Sequence, residues 1–243
     1  MALPEVHWNS VLEKSTFILD LLAHYHHHQV HNFERFPRQG PVIMLTNHSL
    51  ATYDGFLLGK YIYQHSGRFA RGLGDDLIFK IPKISEWAYS VGLVPASVKN
   101  AKELLRRGEI VGLAPGGMRE SIKPSRQAYK ILWNDRMGFA RLAVEENVPV
   151  VLAACPKGDQ IFQVFENPLT DILYKKLKVP FPLFRGLGPT LIPRPVTLTH
   201  EIEGPFLPSA IAQQGQAGIE YFHHFIVERM QELMKRRSKR APL

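Results

Sequence analysis

The strongest constraint on the fold is a recurring pattern in which short apolar runs of strand length stop abruptly and helix-length stretches intervene. Val42-Ile43-Met44-Leu45 stops at Asn47-His48, Ile110-Val111-Gly112-Leu113 at Pro115-Gly116-Gly117, and Val150-Val151-Leu152-Ala153-Ala154 at Cys155. Runs without polar alternation suit strands buried on both faces. The spacing predicts strands near 42–47, 68–73, 109–114 and 149–155, with helices over 55–65, 85–91, 97–107 and 137–146. Such alternation argues for an α/β fold: a single domain with a central, mostly parallel or mixed sheet flanked by helices. Further on, an amphipathic segment from Leu169 to Leu177, a late strand at Val196-Thr197-Leu198-Thr199 and a closing helix over 208–236 are expected. The Pro- and Gly-rich stretch from Val179 to Pro195 gives no assignment.

A chain of 243 residues without a Ser/Gly-rich linker or internal repeat buries one substantial core. Its single cysteine, Cys155, follows an apolar strand and reads as a core residue rather than a nucleophile. No run approaches the roughly 20 apolar residues that span a bilayer, so no spanning segment and no secretory signal is expected. From Trp8 to Tyr25, however, Trp8, Val11, Leu12, Ile18, Leu19, Leu22 and Tyr25 fall on one helical stripe, suited either to the core or to a membrane surface.

The formal net charge is +8, much of it in Lys235-Arg236-Arg237-Ser238-Lys239-Arg240. A solvated helix end is the first reading of that tail and an anionic membrane surface the second. Nucleic acid is not expected, because no zinc pattern, helix-turn-helix or aromatic-basic interleaving accompanies the charge. His24, His26, His27, His28 and His31 cluster at the end of the first helix. His24 with His28, and His27 with His31, share faces there, but nothing nearby in sequence completes a metal site, so no functional metal is expected.

Two strand exits carry chemistry. His48 lies where open α/β sheets place ligands, and an imidazole serves as a general base near neutral pH when a carboxylate such as Asp54 fixes its tautomer. The alternative is that His48 is a loop residue and Asp54 a helix cap. At the second exit, Gly116 and Gly117 permit a sharp turn with exposed N–H groups, and Arg119 offers a fork of donors to an anion. An ordinary strand-ending turn explains that segment as well.

Together these segments resemble the lysophospholipid acyltransferase-like family. The likeness rests on four ordered blocks: Asn47-His48 to Asp54; Ala70 to Pro82 with Val91 to Pro95; Ala114 to Glu120; and Asn147-Val148-Pro149-Val150-Val151-Leu152. Five residues, not four, separate His48 from Asp54, and Pro115-Gly116-Gly117-Met118-Arg119 stands where a Glu-Gly-Thr-Arg is usual. Both departures are similar to the transmembrane protein 68 type and the related mono- and diacylglycerol acyltransferases.

The resemblance implies an O-acyltransferase moving a fatty acyl group from acyl-CoA, or from acyl carrier protein, to a glycerolipid hydroxyl. His48 and Asp54 would be catalytic, and Asn47, Pro115, Gly116, Gly117, Arg119 and Glu120 would bind substrate. It implies residues 1–33 as an amphipathic N-terminal helical segment and 34–243 as the acyltransferase domain. No cofactor is expected besides acyl-CoA as co-substrate; the setting is cytoplasmic, peripheral to a membrane. The rival readings are a thioesterase or esterase on the same fold, disfavoured by the lack of a Gly-x-Ser-x-Gly elbow, and an inactive lipid-binding or membrane-adaptor protein.

Overall fold

The computed structural model describes residue 3 and residues 10–50, 52–167, 182–209 and 214–236. Seven strands form one sheet in the order β1-β9-β6-β2-β5-β3-β4. They are β1 (Gln29–His31), β2 (Val42–Thr46), β3 (Ala70–Gly74), β4 (Val94–Pro95), β5 (Ile110–Leu113), β6 (Val150–Ala154) and β9 (Thr199–Phe206). A separate two-stranded sheet pairs β7 (Gln163–Val164) with β8 (Phe184–Arg185). In the main sheet β6, β2, β5, β3 and β4 run parallel, whereas β9 is antiparallel to β6 and carries β1 beside it in its own direction. The sheet is therefore mixed, with one reversed edge.

Central strands β2 and β6 are almost wholly buried because helices cover both faces. On one face Ile43, Leu45, Val111 and Leu152 pack with Leu104 of α5 (Val98–Arg106), Phe139 of α7 (Gly138–Glu146) and Phe222, Ile226 and Met230 of the closing helix α8 (Gly215–Arg236). On the other, Val42, Met44, Ile110 and Val151 meet Leu58 and Ile62 of α2 (Tyr53–Ser66), with Phe33 and Phe36. Burying side chains of this size contributes about 1.5–3 kcal/mol each, which explains the unbroken apolar runs. The remaining helices are α1 (Ser10–Tyr25), α3 (Asp76–Phe79), α4 (Pro82–Ser90) and α6 (Gly117–Ser121).

Two expectations shift. The late strand lies at Thr199–Phe206, beyond 196–199, because its inward positions are partly polar and do not read as a buried strand. Glu203 is buried yet held by Arg229 and Arg236, and buried His200 by His28 at 3.0 Å. The closing helix begins at Gly215 rather than 208; residues 210–213, the amphipathic Leu169 to Leu177 segment and tail residues 237–240 lie outside the described residues.

The α1 stripe divides. Leu19 and Leu22 pack against the cluster of Leu57, Cys155, Ile161 and Phe162, whereas Phe17, Ile18 and Leu21 are exposed. Trp8 and the side chains of Val11 and Leu12 lie outside the described residues. Within residues 1–33, β1 joins the main sheet through β9.

Candidate active site

The site stands at the carboxyl ends of β2, β5 and β6. Parallel pairing of Leu45 with Leu113 and with Leu152 brings the three exits to one edge. Asn47, buried just past β2, locks two of them together: its Nδ2 donates to the Cys155 carbonyl at 3.1 Å, and its Oδ1 accepts from the Cys155 N–H at 2.7 Å. Asn47, expected to bind substrate, fixes the exit of β2 against that of β6.

The next turn aims His48. Its backbone N–H donates to Glu120 Oε1 at 2.8 Å, and its ring Nδ1 lies 3.1 Å from the Ser49 carbonyl and 3.0 Å from Thr52 Oγ1. Since a carbonyl only accepts, Nδ1 carries the proton and Nε2 keeps its lone pair. Thr52 closes the turn at φ 57°, a backbone region uncommon for a β-branched residue. The fifth spacer residue is thus accommodated by a left-handed turn whose hydroxyl also touches the ring. Burial and the Lys123 charge lower the His48 pKa from 6.5, with the bond to Ser49 opposing, so the ring is neutral at pH 7.

Asp54 is 3 % exposed in the first turn of α2 and does not hydrogen-bond the His48 ring. Its Oδ1 accepts from Ser49 Oγ at 2.5 Å. The direct His48–Asp54 hydrogen bond expected from the sequence is replaced by a path through Ser49, whose hydroxyl meets the carboxylate and whose carbonyl meets the ring. Burial pushes the Asp54 carboxyl up to about 6, against the hydrogen bond from Ser49 that lowers it. Gly158 fits closely here, since a Cβ on it would stand 3.2 Å from Asp54 Oδ2.

Glu120, fully buried, accepts from the His48 N–H through Oε1 and from the Leu132 N–H at 2.9 Å through Oε2. It binds the third block to the first. Gly116 is required for that contact, because a Cβ there would fall 2.1 Å from Glu120 Oε2. At Gly117, φ is +54° and the N–H donates to the Ala114 carbonyl at 2.9 Å, so this N–H is spent within the turn. Pro115 contributes its carbonyl, which accepts from Arg136 Nη1 at 2.9 Å. Arg119 is exposed and makes no hydrogen bond or ion pair among the described residues.

Sequence reasoning missed Ser49, Lys123, Arg136 and Asp159. Lys123 and Asp159 form an ion pair at 2.9 Å, with side chains only 4 % and 5 % exposed, and Lys123 also donates to the Lys130 carbonyl. Asp159 accepts from the Tyr129 N–H at 2.7 Å, and its charge bears on both Asp54 and Glu120. Nothing in a scattered lysine and aspartate signals this pairing, whereas Ser49 lay inside the recognised block. Lys123, Asp159, Gly158, Leu50 and Phe162 line a narrow cavity beside the turn. The arrangement is a neutral imidazole with a free nitrogen, backed by fixed dipoles and a buried carboxylate.

Comparison with known proteins identifies the family and the fold. A family model described as Acyltransferase matches residues 27–155. A bovine protein named a DGAT1/2-independent enzyme synthesizing storage lipids is 30% identical over 166 residues, 68% of this chain and 49% of the relative. An uncharacterized protein of Mycobacterium tuberculosis is 28% identical over 177 residues, 69% of this chain and 48% of the relative. The chain therefore spans about half the length of these relatives. The crystal structure of the 1-acyl-sn-glycerophosphate acyltransferase PlsC from Thermotoga maritima superposes with a TM-score of 0.58 at 15% identity, covering 97% of this chain and 86% of that one, which shows a shared fold. With more than half its length matched by the family model, the chain belongs to the Acyltransferase family.

Proposed function

We propose that the protein transfers a fatty acyl group from acyl-CoA to a glycerolipid hydroxyl, with a neutral precursor of a storage lipid, a mono- or diacylglycerol, as acceptor. The observation that carries this reading is the His48 ring: Nδ1 is held by Ser49 and Thr52, so Nε2 is left to take a proton. An acceptor hydroxyl approaching Nε2 loses its proton as its oxygen attacks the thioester carbonyl, and the imidazolium returns that proton to the leaving thiolate. The acyl–sulfur bond breaks as the acyl–oxygen bond forms, so no acyl-enzyme is needed. Asp54 acts at one remove, anchoring Ser49, whose carbonyl in turn holds the ring.

Arg119 and Arg136 lie around the Pro-Gly-Gly turn as a cationic edge suited to the phosphates of a coenzyme A donor. The acceptor assignment leans on the storage-lipid synthesis named for the bovine relative and on the absence of a Glu-Gly-Thr-Arg block. We place the protein on the cytoplasmic face of a membrane. Phe17, Ile18 and Leu21 of α1, and Ile81, Ile84 and Trp87 at α4, expose apolar surface, and the +8 charge suits an anionic leaflet. Among the described residues no helix is long and apolar enough to cross a bilayer.

The test is transfer of a labelled long-chain acyl group from acyl-CoA to monoacylglycerol, diacylglycerol, lysophospholipid, glycerol-3-phosphate and a long-chain alcohol, comparing wild type with His48→Ala. Product in the wild type and its loss in the variant, with monoacylglycerol or diacylglycerol preferred, supports the reading. Released free acid would indicate a thioesterase; lipid binding without product, unchanged in the variant, would indicate an adaptor.

A further inference from the structure

Around Asp54 the fold brings together three side chains that no local motif connects. One ligating atom from each of Asp54, Cys155 and His200 lies within 4.8 Å of those from the other two, and all three residues are buried. They come from the first turn of α2, the end of β6 and the reversed strand β9. Carboxylate, thiol and imidazole form a mixed donor set that suits zinc and its relatives rather than calcium or magnesium. We propose that this cluster is a site for a thiophilic divalent metal ion, zinc above all, and that its occupation switches off acyl transfer.

Two features support it. The His200 ring is already oriented: Nδ1 pairs with His28 Nε2 at 3.0 Å, leaving Nε2 to ligate, which is the outer-shell arrangement metal-bound histidines commonly show. In addition, the buried cation Lys123 is committed to Asp159, so a metal ion would bring to Asp54 a positive charge that the surrounding His200, His28 and Cys155 do not supply. Binding replaces the thiol proton by the metal and releases that proton to solvent. The ion then draws on the carboxylate that anchors Ser49. This consequence rests on the proposed transfer reaction, whereas binding does not.

Because the chain has one cysteine, sulfur in the metal's first shell identifies the site. Purified wild-type protein, loaded with one equivalent of zinc, is examined by X-ray absorption at the zinc edge. The expected result is one sulfur neighbour at about 2.3 Å; a shell of nitrogen and oxygen alone, as surface histidines such as His24 and His27 would give, overturns the proposal. Cobalt substitution gives a second readout, a thiolate-to-cobalt absorption present in wild type and in His24→Gln but lost in Cys155→Ser. Its persistence in Cys155→Ser would also overturn the site. For the switch, zinc-loaded wild type is expected to transfer no faster than Asp54→Asn, with recovery on chelation. Undiminished transfer with sulfur-bound zinc would refute the switch while leaving the site, and failure to transfer even without metal would refute the reaction alone.

Discussion

The two sides of Asp54 are built by different means. Towards His48 the contacts of the ring are local: Ser49, Thr52 and Asp54 lie within six residues of it and are held by one turn. Towards Cys155 and His200 every contact is distant in sequence, joining residues about 45 to 170 positions apart across separate elements. The local side depends on turn geometry, so a single substitution there changes chemistry with little effect on the core. The distant side depends on the sheet being assembled, so its groups report on folding as well as on ligands.

The largest effect expected is on the local side. His48→Ala should lower acyl transfer by about 10²- to 10⁴-fold, the usual contribution of a positioned base, with the thermal melting transition unchanged. A comparable melting loss would mean that the ring is part of the packing instead. Glu120 bridges the two kinds of construction, because it ties the His48 N–H to the Leu132 N–H. Glu120→Ala leaves buried donors without an acceptor, at about 1–3 kcal/mol each, so denaturant unfolding should show lost stability together with lost activity.

Asp54 sharpens the contrast through pH. Its folded carboxyl is raised from 3.8 to about 6, so the folded state binds the proton more tightly than the unfolded chain. The associated stability is present below about pH 3.8 and is lost as pH rises through about 6. Asp54→Asn should flatten this dependence in pH-resolved denaturation while impairing transfer. For His48 the lowered pKa places the acidic fall of activity below pH 6.5, since the base must be unprotonated. This smaller effect is read from the pH dependence of kcat/KM.

How much was legible in the sequence follows the same division. The parallel centre announced itself through runs such as Val42-Ile43-Met44-Leu45, whose burial on both faces leaves a uniform pattern. The His48 turn was visible as a motif because its parts are contiguous. Strand β9 was misplaced because Glu203 and His200 look exposed until Arg229, Arg236 and His28 supply their partners. The Lys123–Asp159 pair and the Asp54, Cys155 and His200 cluster were illegible for the same reason: only sheet order decides which distant polar residues meet. The expected His48–Asp54 bond failed at shorter range, since six positions of spacing do not reveal that Ser49 offers hydroxyl and carbonyl in opposite directions.

The central claim is that Asp54 reaches the base through Ser49, and a double-substitution cycle tests it most directly. Transfer rates of wild type, Ser49→Ala, Asp54→Asn and the combined variant are measured at a pH where His48 is neutral, with KM and kcat separated. The account predicts that kcat in the combined variant matches that of the slower single variant, because both changes cut the same path. Two losses that multiply would contradict it, showing that Asp54 acts on the reaction independently of Ser49.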